Sequence, residues 1–429
     1  MPSITKISTT SECLTPRAGL TPFVNFLKKS EVCSELSLIY QDLRKSKKGI
    51  KLKEAFLQIL LFLADGTEHS LESFDRLKED ESWVKTHGCK KSLKTDALKR
   101  LLYKSDTVDL ELIRPYLHRI FQSVLKDEAP NEVVLFLDSC VYNNDGAKCR
   151  AGVKPTYKKY QGYHPINLIW NGLYVDTYFQ SGHCSTNHGD IVQVMLKNAT
   201  KSIRDVLGHE VPIIVRMDGG FYDQKIFKLC DELGINFVCA GKVYKDHIFD
   251  VHSFTGIYEN KNVVWKYQAF QERRKSWDEN MKYRALKLNA VEEDGESFLG
   301  LNGRIILSNY DNCSEQQLIR YDHSRGKDEL THREIKDFTS ERMPCLDFHA
   351  NQLWYYMGIL AFNLFQIFKR KIACLFKTSY PTTFRRKFFD IAGKIITDAR
   401  SFTLKIHTHK MKELQFNNIW NRSLIPWVI

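Results

Sequence analysis

The chain has 429 residues, 43% hydrophobic and 27% charged, values that are ordinary for a globular protein of two or three domains. A formal net charge of +12 favours a polyanionic partner, because Lys and Arg gain free energy by displacing counterions from phosphates. The 11 cysteines form no C-x-x-C pair, which disfavours a zinc ribbon or a thioredoxin-like site.

The first part of the chain has the apolar spacing of helices. Residues 1–22 are rich in Ser, Thr and Pro and predict a flexible segment without the apolar core of a signal peptide. From Phe23 to Leu125 apolar residues recur at spacings of three and four, which predicts an all-helical domain over 23–130. Its basic segment Lys90–Asp106 fits either a helix that contacts DNA or the solvated face of an ordinary bundle helix.

From Asn131 the pattern changes to short apolar runs typical of buried strands. The predicted strands are Glu132–Asp138, Tyr163–Trp170, Leu173–Phe179, Val211–Asp218 and Ile235–Ala240. The turn dipeptide Asn171–Gly172 joins the second and third strands in a hairpin, and helices precede and follow the fourth. This order, an antiparallel meander and then crossover helices, predicts an α/β domain of the ribonuclease-H-like class.

The remaining segments complete the predicted domain organisation. Alternating apolar runs predict a β-rich insertion, and apolar stretches at Ala55–Ala64 and Leu353–Phe368 predict buried helices, being too short or too polar to span a bilayer. From Lys369 to Ile429 there are 13 Lys and Arg against 3 Asp and Glu. The predicted division is 1–22 flexible, 23–130 helical, 131–245 first part of the ribonuclease-H-like core, 246–310 β-rich insertion, 311–375 second part of that core and 376–429 basic C-terminal region.

Two of the predicted strands end in an aspartate, Asp138 and Asp218. In a ribonuclease-H-like sheet these strands are neighbours, so both carboxylates would lie at one sheet edge. Two carboxylates that close repel each other unless a proton or a cation separates them. The pair therefore predicts a site for Mg²⁺ ions of the kind that support phosphoryl transfer.

A third carboxylate is predicted on the helical segment Tyr321–Phe338. At about 100° per residue, one face within an arc of about 60° carries Arg325, Glu329, His332 and Lys336, with Tyr321 on the same side. Glu329 is then the candidate metal ligand, with cations beside it for phosphate oxygens. The alternative is a helix with solvent-exposed ion pairs between successive turns.

These segments resemble the motifs of bacterial insertion-sequence transposases with a group-1 DDE domain. The matching stretches are FLDSC around Asp138, GYHP at Gly162–Pro165, RMDGGF at Arg216–Phe221 and YDHSRGKDELTHREIK at Tyr321–Lys336. The last is similar to the family's Tyr-Arg-Glu-Lys signature, although three residues separate Tyr321 from Arg325 where the family has two. The resemblance covers about two thirds of the chain, from Glu132 to Leu404.

The resemblance implies a DNA transposase with Asp138, Asp218 and Glu329 as its catalytic and metal-binding triad, holding two Mg²⁺ ions for which Mn²⁺ can substitute. It also implies DNA contacts for Arg325, Lys336 and Tyr321. In family members that cut through a DNA hairpin, an aromatic residue of the insertion stacks on a flipped base. Trp265 and Trp277 are the candidates, with core packing as the alternative for either.

The expected partners are terminal inverted repeats and target DNA, bound through 23–130 and the basic C-terminal region by a synaptic homodimer in the cytoplasm, at the nucleoid, without a membrane. Two other functions fit the same motifs: a structure-specific nuclease that never joins strands, and an inactive relative that only binds DNA. A glycosidase with two carboxylates is disfavoured by the basic tail.

Overall fold

The computed structural model describes residues 4–46, 48–260, 263–291, 303–324, 326–398 and 401–427, without the side chains of Val251 and 326–329. The chain divides into two compact units. The first unit contains Met1–Ile113 and Glu334–Ile429, and the second contains Arg114–Arg333. The first unit thus contains both the N-terminal residues up to Ile113 and the basic C-terminal region.

The described residues form the following helices and strands. The helices are α1 (Leu20–Lys29), α2 (Val32–Ile39), α3 (Leu52–Asp65), α4 (Ser73–Glu79), α5 (Glu81–His87), α6 (Thr95–Leu102), α7 (Ile113–Glu128), α8 (Ile191–Leu207), α9 (Gln224–Leu233), α10 (Glu315–His323), α11 (Gly326–Thr339), α12 (Phe348–Ile367), α13 (Pro381–Phe384), α14 (Thr408–Glu413) and α15 (Phe416–Ser423). The strands are β1 (Cys13–Thr15), β2 (Val133–Ser139), β3 (Tyr142–Asn143), β4 (Lys154–Pro155), β5 (Gln161–Tyr163), β6 (Ile166–Trp170), β7 (Leu173–Tyr178), β8 (Ile213–Met217), β9 (Asn236–Ala240), β10 (Gly256–Asn260), β11 (Val263–Glu272), β12 (Tyr283–Val291), β13 (Arg304–Ser308), β14 (Gly393–Asp398) and β15 (Ser401–Ile406).

The first unit is organised around two helices that are apolar on every side. In α12 every residue from Ala350 to Ile367 is buried, and in α3 every residue from Ala55 to Asp65 is buried. A helix without a polar face must be covered all round, and α3 packs directly against α12. The prediction of buried helices at both stretches is confirmed. Within the described ranges, none of the helices has the length and apolar character needed to cross a bilayer.

The second unit is a mixed α/β structure built on a nine-stranded sheet of order β10-β11-β12-β13-β9-β8-β2-β6-β7. Strands β8 and β9 run parallel to β2, whereas β6 and β7 form an antiparallel meander beside it. The predicted hairpin turn is confirmed, since Asn171 and Gly172 adopt φ angles of 47° and 71° between β6 and β7.

The β-rich segment is part of this same sheet. Strand β13 pairs antiparallel with β9, and β12, β11 and β10 follow outward from β13. The described residues of the predicted insertion thus supply four strands that extend the central sheet.

The helical segment predicted from Tyr321 to Phe338 is interrupted. Helix α10 ends at His323, with Ser324 as its C-cap, and α11 begins at Gly326. The angular spacing of a single helix therefore relates His332 to Glu329 but does not extend back to Tyr321.

Candidate active site

The two strand-end aspartates lie at neighbouring positions of the sheet. Strands β2 and β8 are parallel, and Leu137 is in register with Met217. The next residues along the chain are Asp138 and Asp218, and both are partly buried. Adjacent strands are about 4.8 Å apart, so the two carboxylates share one edge of the sheet, as the sequence predicted.

Backbone amides orient both carboxylates. The Oδ1 atom of Asp138 accepts a 2.7 Å hydrogen bond from the amide of Ser139, and Oδ1 of Asp218 accepts one of 2.8 Å from Gly220. A Cβ atom at Gly220 would lie 2.9 Å from Asp218 Oδ1, so the Gly-Gly turn after the second aspartate lets the backbone approach the carboxylate closely. This close approach accounts for Gly220 in the RMDGGF motif.

Helix α11 contributes a buried histidine to this edge. The Nε2 atom of His332 lies 3.4 Å from Asp138 Oδ2, and Nδ1 lies 3.4 Å from the hydroxyl of Tyr174. Burial by itself would lower the pKa of His332, but hydrogen bonding to Asp138 and Cys140 raises it to about 10.

The position of His332 bears on the third acid. Residues three apart in a helix share a face, so the backbone position of Glu329 lies one turn from His332 on the side of α11 that faces Asp138. The side chain of Glu329 itself lies outside the described residues.

Arg216, two residues before Asp218, ties strand β8 to the junction of the two helices. Its guanidinium donates to the carbonyl of Tyr321 at 3.2 Å and to the hydroxyl of Ser324. The arginine of RMDGGF thus holds the end of α10, the point from which the chain continues into α11. This contact accounts for an arginine at that position without assigning it to the chemistry.

The predicted DNA-contacting residues of this segment have different surroundings. Arg325 lies outside the described residues. The Lys336 ammonium is 3.7 Å from the carboxylate of Glu341. The hydroxyl of Tyr321 donates a 2.9 Å hydrogen bond to Glu132, which precedes β2, whereas Asp138 stands near the other end of that strand. Tyr321 is thus held away from the carboxylate pair, because the helix that would have aligned it ends at His323.

The two candidate tryptophans occupy different environments. Trp265 is only 8% exposed within the core formed around β10 to β13, and its ring centroid is 4.9 Å from that of His323. Trp277 is partly exposed and packs against an aromatic cluster whose members are Tyr222, Phe227 and Tyr283. Trp277 is therefore the one whose ring offers surface to a ligand without opening the core.

Sequence reasoning missed Tyr157. Its ring lies beside that of His164, and Pro165, the next residue, accepts a 3.0 Å hydrogen bond from the amide of Cys140, two residues after Asp138. Partial burial, and then the charges of Asp138 and Asp218, raise the pKa of Tyr157 to about 12. The available signal was an aromatic residue between lysines in KPTYKKYQG, a composition suited to nucleic acid.

His164, of the GYHP motif, lies beside Tyr157, with the ring centroids 5.0 Å apart. Its Nδ1–H donates to the carbonyl of Cys184 at 3.0 Å, and burial lowers the pKa of His164. The carbonyl of Cys184 thus orients the imidazole ring of His164.

The donor set fits hard divalent cations. Asp138 and Asp218 supply oxygen ligands, and their like charges at adjacent strand ends favour a bound cation. Among the residues whose side chains the structure describes, no group of three or more His, Cys, Asp and Glu could hold a metal ion. The side chain of Glu329 is not in that set, so the two aspartates form the described part of the candidate site.

His332 is expected to act as a positioning residue for Asp138. We expect His332→Ala to slow metal-dependent DNA cleavage about 10- to 100-fold, the usual effect of removing a group that orients a metal ligand. The measurement is the initial rate of plasmid nicking, with the melting temperature as a check on folding. His252→Ala, an exposed histidine of the same unit, is the matched control. Equal nicking rates for both variants would remove His332 from the site.

Comparison with known proteins gives the following matches. The family model described as "Transposase DDE domain group 1" matches residues 4–423. No curated protein matches the chain. Among solved structures, the chain is similar to piggyBac transposase in a cryo-EM synaptic complex with hairpin DNA, at 13% identity and a TM-score of 0.44. That match covers 86% of this chain and 79% of the other.

Proposed function

Because the chain belongs to the family of transposases with a group 1 DDE domain, we propose that it cuts the ends of a mobile DNA element and joins the freed 3′-hydroxyl to target DNA. The observation that carries the proposal is the pair of aspartates at the ends of β2 and β8, with His332 of α11 against Asp138. The strand order β7-β6-β2-β8-β9, with β2, β8 and β9 parallel, supports a ribonuclease-H-like catalytic core.

In this proposal Asp138, Asp218 and Glu329 hold two Mg²⁺ ions, which Mn²⁺ can replace. When bound, such ions polarise a phosphodiester and make water or a 3′-hydroxyl a stronger nucleophile. The amides of Ser139 and Gly220 fix one oxygen of each aspartate, and His332 lies against the second oxygen of Asp138. These contacts limit the rotation of the two carboxylates. The metal-binding oxygens are therefore already oriented before DNA binds.

Cationic side chains offset the charge of the phosphodiester. We assign this role to Arg325 and Lys336, which match the basic positions of the family's third motif. The helices within 23–130 and the basic region 376–429 would bind terminal inverted repeats. Contacts of Lys and Arg to phosphates supply affinity for DNA whatever its sequence. Two copies of the chain would bring two ends together at the nucleoid.

The decisive experiment uses a supercoiled plasmid that carries the coding region with its native flanking DNA. We expect the purified protein to cut at the borders and to produce joined strand-transfer products. Cutting at the borders without any joined product would favour a structure-specific nuclease. Border binding without cutting, in Mg²⁺ and in Mn²⁺, would favour an inactive relative.

Removal of divalent ions is a separate prediction. We expect EDTA to abolish cutting and added Mg²⁺ or Mn²⁺ to restore it, because the described donors of the site are carboxylate oxygens. Ca²⁺ should support DNA binding in the same buffer and serves as the control for a general charge effect. Cutting that continues at full rate in excess EDTA would contradict a metal-dependent mechanism.

A further inference from the structure

A small β-sheet stands beside the carboxylate pair. Strand β3 begins four residues after Asp138, and the sheet order is β3-β5-β4, with Tyr142 opposite Tyr163. Strands β4 and β5 are joined by a tight turn in which the amide of Thr156 donates to the carbonyl of Tyr160 at 2.8 Å. We refer to Lys154–Tyr163 as the β4–β5 hairpin.

The base of the β4–β5 hairpin is firmly packed. A Cβ atom at Gly182 would lie 2.3 Å from the carbonyl oxygens of both Gly162 and Lys154, so that segment can approach both strands only as glycine. Ser181 donates from its hydroxyl to the carbonyl of Gly152 at 2.6 Å. A surface loop anchored in this way presents its tip in a defined position.

The tip of the hairpin is exposed, aromatic and basic. Tyr157 is 62% exposed and Tyr160 is 44% exposed, with Lys158 and Lys159 exposed between them. From 146 to 175 the chain contains five Lys and Arg residues and no Asp or Glu. Such a tip attracts a polyanion and offers flat rings to it.

The tip also lies close to the end of β2, where Asp138 stands. The ring of Tyr157 lies 5.0 Å from that of His164, and the carbonyl of Pro165, the next residue, accepts a 3.0 Å hydrogen bond from the amide of Cys140, two residues after Asp138. The Lys158 ammonium lies 5.7 Å from the centre of the Tyr157 ring. A DNA strand bound at the two aspartates would therefore run close to this tip.

We propose that the β4–β5 hairpin binds the DNA strand that enters the aspartate pair, with Tyr157 stacked on an unpaired base and Lys158 and Lys159 against its phosphates. The inference rests on the proposed function, because it takes the aspartates as the place of cutting. An unpaired base is favoured over duplex because only an unpaired or terminal base exposes a face for stacking. The lysines offset the repulsion between strand phosphates and the two carboxylates.

The test measures binding of the full chain, in Ca²⁺, to a fluorescein-labelled duplex with a single-stranded 3′ extension and to a blunt duplex of the same sequence. We expect Tyr157→Ala to weaken binding to the extended DNA about tenfold, a typical loss for one stacked base, and to leave the blunt duplex within about twofold. Tyr157→Phe keeps the ring and should bind nearly as the unaltered protein does.

The lysines are tested by salt dependence. We expect the double variant Lys158→Ala, Lys159→Ala to reduce the slope of log affinity against log salt by about 1.4 on the extended DNA, about 0.7 for each lost single-strand phosphate contact. Lys197→Ala, Lys201→Ala removes the same charge from exposed positions of α8 and is the control. A 5-iododeoxyuridine in the extension should photo-crosslink to Tyr157.

The outcomes separate the two proposals. Plasmid cutting by the unaltered protein, together with unchanged binding in both the Tyr157→Ala and the double-lysine variants, would overturn the hairpin contact and leave the transposase function intact. Equal loss on both DNAs would also overturn it, because a stacking contact to an unpaired base discriminates between them. Failure of the unaltered protein to cut or bind any DNA would overturn both.

Discussion

Asp218→Asn is expected to reduce DNA cutting by roughly 10³-fold or more while leaving the fold and DNA binding in place. Asparagine has the shape of aspartate, and its carbonyl oxygen can still accept the hydrogen bond from the amide of Gly220. It lacks the negative charge that holds a divalent cation, however, and it ends the repulsion with the neighbouring Asp138. The measurement is the rate of border cutting on the plasmid, beside the melting temperature and the DNA affinity in Ca²⁺.

The matched control is Asp223→Asn, the same chemical change five residues away. Asp223 caps α9 by accepting from the amide of Lys225 at 2.8 Å, and asparagine is an equally good N-cap. We expect the Asp223→Asn protein to cut the plasmid borders at a rate within about twofold of that of the unaltered protein. If the Asp218→Asn protein cut as fast as the Asp223→Asn protein, the assignment of the aspartate pair as a metal site would be lost.

Much of the central sheet could be predicted because its strands are local signals. Apolar runs of six to eight residues that end at polar or glycine positions gave β2, β6, β7, β8 and β9 within a few residues. The Asn171–Gly172 turn set the β6–β7 hairpin, since both residues accept a positive φ. Once the order of these strands was known, the right-handed crossover rule limited how the parallel strands could be arranged.

Long-range pairing was not accessible in the same way. The contact between β13 and β9 joins Leu307 to Cys239, and neither strand carries a local feature that specifies its partner. The grouping of the N-terminal helices with residues Glu334–Ile429 has a similar origin. It depends on the packing of α3 against α12. The uniform apolarity of these two helices predicts that each is buried, but it does not specify which element covers it.

The site shows the same division between local and distant information. The aspartate pair followed from strand ends, and the arc on the third helical segment already contained His332. The break after His323 was missed because periodicity continues across it, while the side chain of Arg216 binds the end of α10 from another strand. Tyr157 was missed because its position near the end of β2 arises from the β4–β5 hairpin, not from spacing along the chain.

A buried ion pair supplies the second large effect, this time on stability. Arg114 of α7 binds Asp176 of β7 through two hydrogen bonds, of 2.7 Å from Nε and 2.8 Å from Nη2, and His118 lies 3.3 Å from the same carboxylate. The side chain of Asp176 is completely buried. Arg114→Ala would leave that carboxylate without its principal partner, so we expect the free energy of unfolding to fall by about 3–5 kcal/mol in urea denaturation at pH 7.

The control for lost helix surface is Arg119→Ala, the same substitution at an exposed position of α7. For this variant we expect the free energy of unfolding to change by less than about 1 kcal/mol.

The pH dependence of the stability difference identifies its cause. Burial alone would raise the pKa of Asp176, but hydrogen bonds from Arg114 and His118 lower it, so the stability it contributes is present above the unfolded value of about 3.9 and lost as pH falls through the lower folded value. In the Arg114→Ala protein, Arg114 no longer opposes the rise in the pKa of Asp176 that burial causes. The free-energy cost of burying the charged Asp176 carboxylate then disappears when acid protonates it. The stability difference between the two proteins should therefore shrink from pH 7 towards pH 4. A difference that stays constant over this range would mean that packing by the arginine side chain, not its charge, stabilises the second unit.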